Sequence, residues 1–150
     1  MYLLCTTRFN EQTWLENQRW RDVHNWTGCI YGTPKQISDT ILPGTPMIVL
    51  EMNNDENKIK GIGFIKNNIV LKERIRIYTD GNFNRYVYRG KTRISRDNLN
   101  SEQEKILRVL DAIVFKGERH MKRAQGITIM PKWVTNNKHI DFIKILGELR

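Results

Sequence analysis

The chain has 150 residues, 39% of them hydrophobic, and a formal net charge of +9. That length supports one domain with a real core, and the modest Gly and Pro content excludes a fibrous or disordered chain. No apolar run approaches the roughly 18 residues of a membrane-spanning helix, and "MYLLC" is too short for a signal-peptide core, so an intracellular protein is expected.

"YLLCTT" (2–7) reads as a short buried strand, and Asn10 is a candidate N-cap for a helix over 10–22 with Trp14, Leu15 and Gln18 on one face. "NWTGCIYGTP" (25–34) matches neither the helical nor the strand period and is irregular. A helical turn over 34–41 and dense turn signals in "LPGTP" follow. "MIVLEM" (47–52) is almost continuously apolar, as a central strand covered on both faces would be. The polar "NNDEN" then turns the chain into "KIKGIGFIKN" (58–67), completing a hairpin. Gly61 and Gly63 fall on one face of it, marking a bend or a close approach to the backbone.

"IVLKERIRIY" (69–78) is expected as a further strand, with Ile69, Leu71, Ile75 and Ile77 on one face and Lys72, Arg74, Arg76 and Tyr78 on the other. "RYVYRGKTRI" (85–94) is expected as one more, with Arg85, Arg89, Lys91 and Arg93 on one parity. The clearest helix is 101–117, with a Ser101/Glu104 capping box and Gly117 as its stop. Loop and short strand fill 118–134, and a terminal helix is expected within 137–150. These elements predict a single α+β domain over 1–150, built on a small curved antiparallel β-sheet or β-barrel flanked by two or three helices.

The residues give no positive sign of catalysis. A nucleophile elbow, a phosphate-binding P-loop, a Rossmann glycine pattern and H-E-x-x-H are all absent. Cys5 and Cys29 are far apart and His24, His120 and His139 are scattered, so no metal and no cofactor are expected. A Cys29–His thiolate pair has nothing to place it, and a buried thiol is the commoner reading.

The charge is more informative. Residues 74–123 hold 13 of the 25 cations but only 6 of the 16 acids, and 9 of those cations are Arg. Arg suits bidentate phosphate contacts and stacking on bases, so a concentrated basic region points to a polyanion partner. Trp14, Trp20 and Trp26 crowd into thirteen positions. The first two read as packing the helix onto the sheet, whereas Trp26 lies in an irregular Gly-containing segment where an aromatic wall can stack a base.

The order of elements around "WTGCIYGT", "MIVLEMNN" and "KIKGIGF" resembles the YTH and EVE branches of the PUA-like superfamily over about residues 1–67. The resemblance implies a small β-barrel that binds nucleic acid and holds an extruded, often modified base in a pocket. It implies Trp26 as an aromatic wall, Thr27 as the small residue beside it, Gly28 as the glycine of a W-x-G segment and Asn53 as the Asn ending the central strand. Asn25 and Tyr78 complete the expected pocket, with Tyr78 or Phe83 standing where YTH cages have a second Trp. Arg74, Arg76, Arg85, Arg89, Lys91, Arg93, Arg119, Lys122 and Arg123 are the expected contacts to the nucleic-acid backbone. The expected partner is thus nucleic acid, RNA in preference to DNA, with no membrane. Two alternatives remain open: a ribonuclease or nucleoside-modifying hydrolase on a related barrel, and a basic protein-interaction or assembly module.

Overall fold

The most apolar segment of the chain forms the middle of the main sheet. A computed structural model describes all 150 residues. The chain runs β1 (Leu3–Phe9), α1 (Glu11–Val23), β2 (Cys29–Thr33), β3 (Pro46–Asn53), β4 (Lys58–Lys66), β5 (Tyr86–Gly90), β6 (Thr92–Ser95), α2 (Ser101–Phe115), β7 (Thr128–Ile129), α3 (Lys132–Thr135) and α4 (Phe142–Gly147). Five strands pair in the order β6-β4-β3-β1-β7, and β2 and β5 form a separate two-stranded sheet. Along β3 the side chains alternate between two cores. Met47 and Val49 pack with α1 and the small sheet, while Ile48, Leu50 and Met52 pack with α2 and the C-terminal helices. Burial on both faces is why this strand lacks a polar alternation.

The α+β class holds, but the main sheet is mixed, not antiparallel, and is not closed into a barrel. β1 and β3 run parallel, from Leu3 opposite Met47 to Phe9 opposite Asn53. The intervening α1 and β2 return the chain to the same end of the sheet, the long crossover a parallel pair requires. The ribbon expected as one strand over 85–94 is divided at Lys91: β5 pairs with β2, and β6 with β4. The chain thereby steps from one sheet to the other.

Residues 69–78 are not a strand. Ile75, Ile77 and Tyr78 are buried, but Leu71 is 86% exposed. Asn84 replaces a ladder here: its Oδ1 accepts from the N–H groups of Ile77 (3.0 Å) and Tyr78 (2.9 Å), and its Nδ2 donates to the Tyr78 carbonyl (2.7 Å). The expected two-faced alternation does not hold, since Leu71 is exposed and Tyr78 is buried beside Ile77, and the backbone of Ile77 and Tyr78 is bonded by a side chain.

α1 starts as expected. The Asn10 side chain accepts from Thr13 N (2.8 Å), and Thr13 Oγ1 accepts from Asn10 N (3.0 Å). Its buried face is Trp14 and Asn17, whereas Leu15 is exposed. The cap of α2 lies one residue earlier than the sequence pattern implied, on Asn100 with Gln103. That shift leaves Glu104 free to pair with Arg96 at 2.7 Å. The terminal helix shortens to α4, capped by Asp141, and 34–41 forms no helix but holds one hydrogen-bonded turn, in which Ile41 N donates to the Ser38 carbonyl (3.1 Å). No helix is long and apolar enough to cross a membrane.

Candidate functional site

Where β1 ends and α1 begins, a cleft of about 200 Å³ opens between the two sheets. Phe9, Tyr78 and Phe83 line it, together with Thr13, Gly32 and Asn54. Phe9 arrives at the last position of β1, and Phe83 on a short 3-10 turn (Gly81–Asn84) that Asp80 caps by accepting from Asn82 N (3.0 Å). Tyr78 and Phe83 meet edge to face at 6.2 Å. The Tyr78 hydroxyl accepts from Asn17 Nδ2 (3.0 Å), which fixes the ring, and burial raises its pKa well above the usual phenol value. Asn54 Oδ1 is buried and has no hydrogen-bond partner.

Two basic segments join this cleft. On one side the aromatic residues sit in the stretch that carries Arg74, Arg76 and Arg85, which line a shallow depression of about 850 Å³. On the other, Asn54 Nδ2 donates to the Lys122 carbonyl (2.9 Å). Arg8 holds the same loop, donating to the carbonyls of Met121 (2.9 Å) and Gly126 (2.7 Å) and to Thr128 Oγ1 (3.0 Å). Arg119 and Arg123 project from that loop into a groove of about 510 Å³ with His120 and Trp133. Trp133 is 47% exposed, and the Arg119 guanidinium lies 5.3 Å from its ring centre. Arg74, Arg76, Arg85, Lys91, Arg119, Lys122 and Arg123 have no acidic partner.

The expected pocket residues do not converge. Trp26 is half-buried, its indole N–H donates to the Cys29 carbonyl (3.0 Å), and the Arg89 guanidinium covers its ring at 5.2 Å. Asn25, with φ of 50°, and Thr27 are exposed turn residues beside it. Gly28 is buried, and any side chain there would collide with the Gly90 carbonyl. Asn53 is fully buried and shapes the hairpin turn: its Oδ1 accepts from Asp55 N (3.0 Å) and Glu56 N (3.1 Å), while its Nδ2 donates to Glu11 and Glu56. Of the expected residues, Tyr78 lines the aromatic cleft together with Phe83, the other residue expected in place of a second Trp.

Two expected backbone contacts have internal partners. Arg89 pairs with Glu73 at 2.9 Å and lines a cavity of about 600 Å³ with Lys91, Lys66 and Phe64. Arg93 turns inward and grips buried Glu51 through Nε and Nη2, while the Tyr31 hydroxyl donates to the same carboxylate at 2.6 Å. Gly61 and Gly63 make room for this knot. Side chains there would collide with Arg93 and Glu51 in one case, and with the Tyr31 hydroxyl and Cys29 in the other. The close approach signalled by the two glycines is therefore by the protein's own side chains.

Phe9, Asn54, Trp133 and Arg8 were not singled out in the sequence. Arg8 lies one residue past the expected strand over 2–7, and only its place within β1, where burial obliges it to find several acceptors, reveals its role. No cluster of three or more His, Cys, Asp and Glu side chains forms a metal-sized site. Burial pushes the Cys5 and Cys29 thiols up to about 12, so Cys29 stays a neutral thiol and a poor nucleophile at neutral pH. No protein-family model matches the chain, and no curated protein matches it in sequence.

Proposed function

We propose that this protein binds single-stranded nucleic acid, RNA being the first ligand to test, with a base entering the cleft of Phe9, Tyr78 and Phe83. The observation that carries this reading is the juxtaposition of an aromatic cleft with two segments of cations that have no acidic partner. Aromatic walls stack any base, at about 1–3 kcal/mol per base. Arg74, Arg76 and Arg85 on one flank, and Arg119, Lys122 and Arg123 on the other, supply phosphate contacts. Trp133 under Arg119 adds a second stacking platform.

The resemblance of residues 1–67 to the YTH and EVE branches supports the same class of ligand. On that reading the two sheets, joined through the bent ribbon at Lys91, are an opened form of the PUA-like barrel, and the base site lies on the β1–α1 side in place of Trp26.

Fluorescence anisotropy with labelled oligouridylate and oligothymidylate at 50 and 200 mM salt tests the proposal. Binding is expected at low salt, falling steeply as salt rises. Phe83→Ala is expected to weaken it about tenfold or more, from the loss of one stacking face, while circular dichroism shows an intact fold. Absence of binding at 50 mM salt, or an unchanged affinity in Phe83→Ala, overturns it.

A further inference from the structure

A second cavity, of about 210 Å³, lies on the other flank of α1, over the edge formed by β4 and β6. Its walls include Trp14, Gln18, Arg21, Lys58, Arg93 and Ser95. Lys60 and Arg96 border it as well, but both are held: Lys60 by Glu56 (3.2 Å), and Arg96 by Glu104 (2.7 Å) and Asp111 (3.0 Å). The only acid in the lining is the exposed Asp97, which pairs with none of these cations.

The donors here outnumber the acceptors. Arg21 gives Nε to Asn17 Oδ1 (3.0 Å), and neither of its Nη groups has a protein acceptor. Arg93, with a side chain only 9% exposed, uses Nε and Nη2 on Glu51 and leaves Nη1 without one. Lys58 Nζ makes no ion pair. The Arg21 and Arg93 guanidinium carbons lie 5.9 and 5.5 Å from the centre of one ring, that of Trp14, so two cations crowd one indole. Burial, and then the neighbouring charge of Arg93, lower the Arg21 pKa below its usual value, as expected of a cation whose surroundings lack a full counter-charge.

We infer that this cavity is an oxyanion site that takes a phosphate group, held by Arg21, Arg93 and Lys58 with Ser95 as a further donor. Guanidinium forks match the tetrahedral oxygens, and charge-assisted hydrogen bonds of this kind are the strong ones. A volume of about 210 Å³ exceeds several waters at roughly 30 Å³ each, and so admits a phosphate or a pyrophosphate. The site does not rest on the base cleft, because it lies across α1 and shares none of its lining residues. The phosphate has two possible sources, a nucleic-acid backbone or a free phosphorylated molecule, and the chemistry of recognition is common to both.

Thermal denaturation in sodium pyrophosphate, against sodium chloride at equal ionic strength, reads the site directly. Pyrophosphate is expected to raise the melting temperature in a saturating manner. Arg21→Gln combined with Lys58→Gln is expected to weaken the apparent affinity by about tenfold or more, the loss of two charge-assisted bonds. Lys58→Gln alone removes no internal ion pair, so it folds regardless and is expected to show a partial loss. A response equal to that of chloride, or an unchanged response in the double variant, overturns the inference. The same double variant with oligothymidylate identifies the source. Weaker binding means a backbone phosphate, and unchanged binding with the pyrophosphate response lost means a free phosphorylated ligand. Phe83→Ala is expected to leave the pyrophosphate response intact, which keeps this site separable from the base cleft.

Discussion

Arg8, Arg93 and Arg96 have their guanidinium groups bonded inside the protein, whereas Arg74, Arg76, Arg85, Arg119 and Arg123 lie exposed with no acidic partner. The buried group is held by internal acceptors, although Arg8 Nε and Arg93 Nη1 have no protein partner. Arg8 makes contacts to carbonyls and hydroxyls, Arg93 is forked onto Glu51, and Arg96 bridges Glu104, Asp111 and the Ile59 carbonyl. The exposed group has no internal acid to meet. One residue type thus occupies two settings, and what separates them is whether an acceptor is supplied from within. The surplus of cations in residues 74–123 combines both populations.

The largest expected effect comes from the inner set. Glu51→Ala leaves Arg93 and Tyr31 without their shared carboxylate in a position 2% exposed. Breaking such a pair costs about 3–5 kcal/mol. For a chain of this size, that lowers the melting temperature by about 6–20 °C, as calorimetry would record. A loss below about 1 kcal/mol would mean that Arg93 finds solvent instead, and would collapse the distinction.

Gly63→Ala is expected to come next. The added methyl meets the Tyr31 hydroxyl and Cys29, both buried, and overpacking of this kind costs about 1–3 kcal/mol. Urea denaturation should show the midpoint shifted with the slope preserved.

The same buried region sets an alkaline limit. The Cys5 and Cys29 thiols are pushed up to about 12, and Tyr31 and Tyr78 are also raised, all mainly by burial. Their folded forms keep protons that the unfolded chain releases from about pH 8.5 upward for the thiols and about pH 10 for the phenols. Stability is therefore full below about pH 8.5 and falls as pH rises towards 12. Urea midpoints at pH 7, 9 and 10.5 should decline in that order, and a flat series would place these groups nearer to solvent.

The smallest effect on stability belongs to the outer set. Arg119→Ala with Arg123→Ala is expected to change stability by no more than about 0.5 kcal/mol. It should weaken nucleic-acid binding for every sequence and reduce the salt slope by about 2. A large loss of stability would assign these arginines to the inner class.

Much of the frame was legible locally. The apolar run of 47–52 announced the central strand, and Asn10 announced the start of α1. The Glu inside that run was a further clue, since a carboxylate on a doubly covered strand needs a buried cation. The aromatic cleft was less accessible. Its walls come from positions 9, 78 and 83, which only the tertiary fold brings together, whereas Trp26 drew attention through its irregular, Gly-containing segment and the family resemblance. The segment 69–78 shows the limit of periodicity, because Asn84 supplies the bonds that a neighbouring strand would have made.

Arg8 and Asn54 fasten the 116–127 loop through the carbonyls of Met121, Lys122 and Gly126, never through its side chains. The anchorage is consequently blind to the identity of the residues at 119, 122 and 123. Substitutions at those three positions leave these anchoring bonds in place, as on an interchangeable cassette whose seat stays the same.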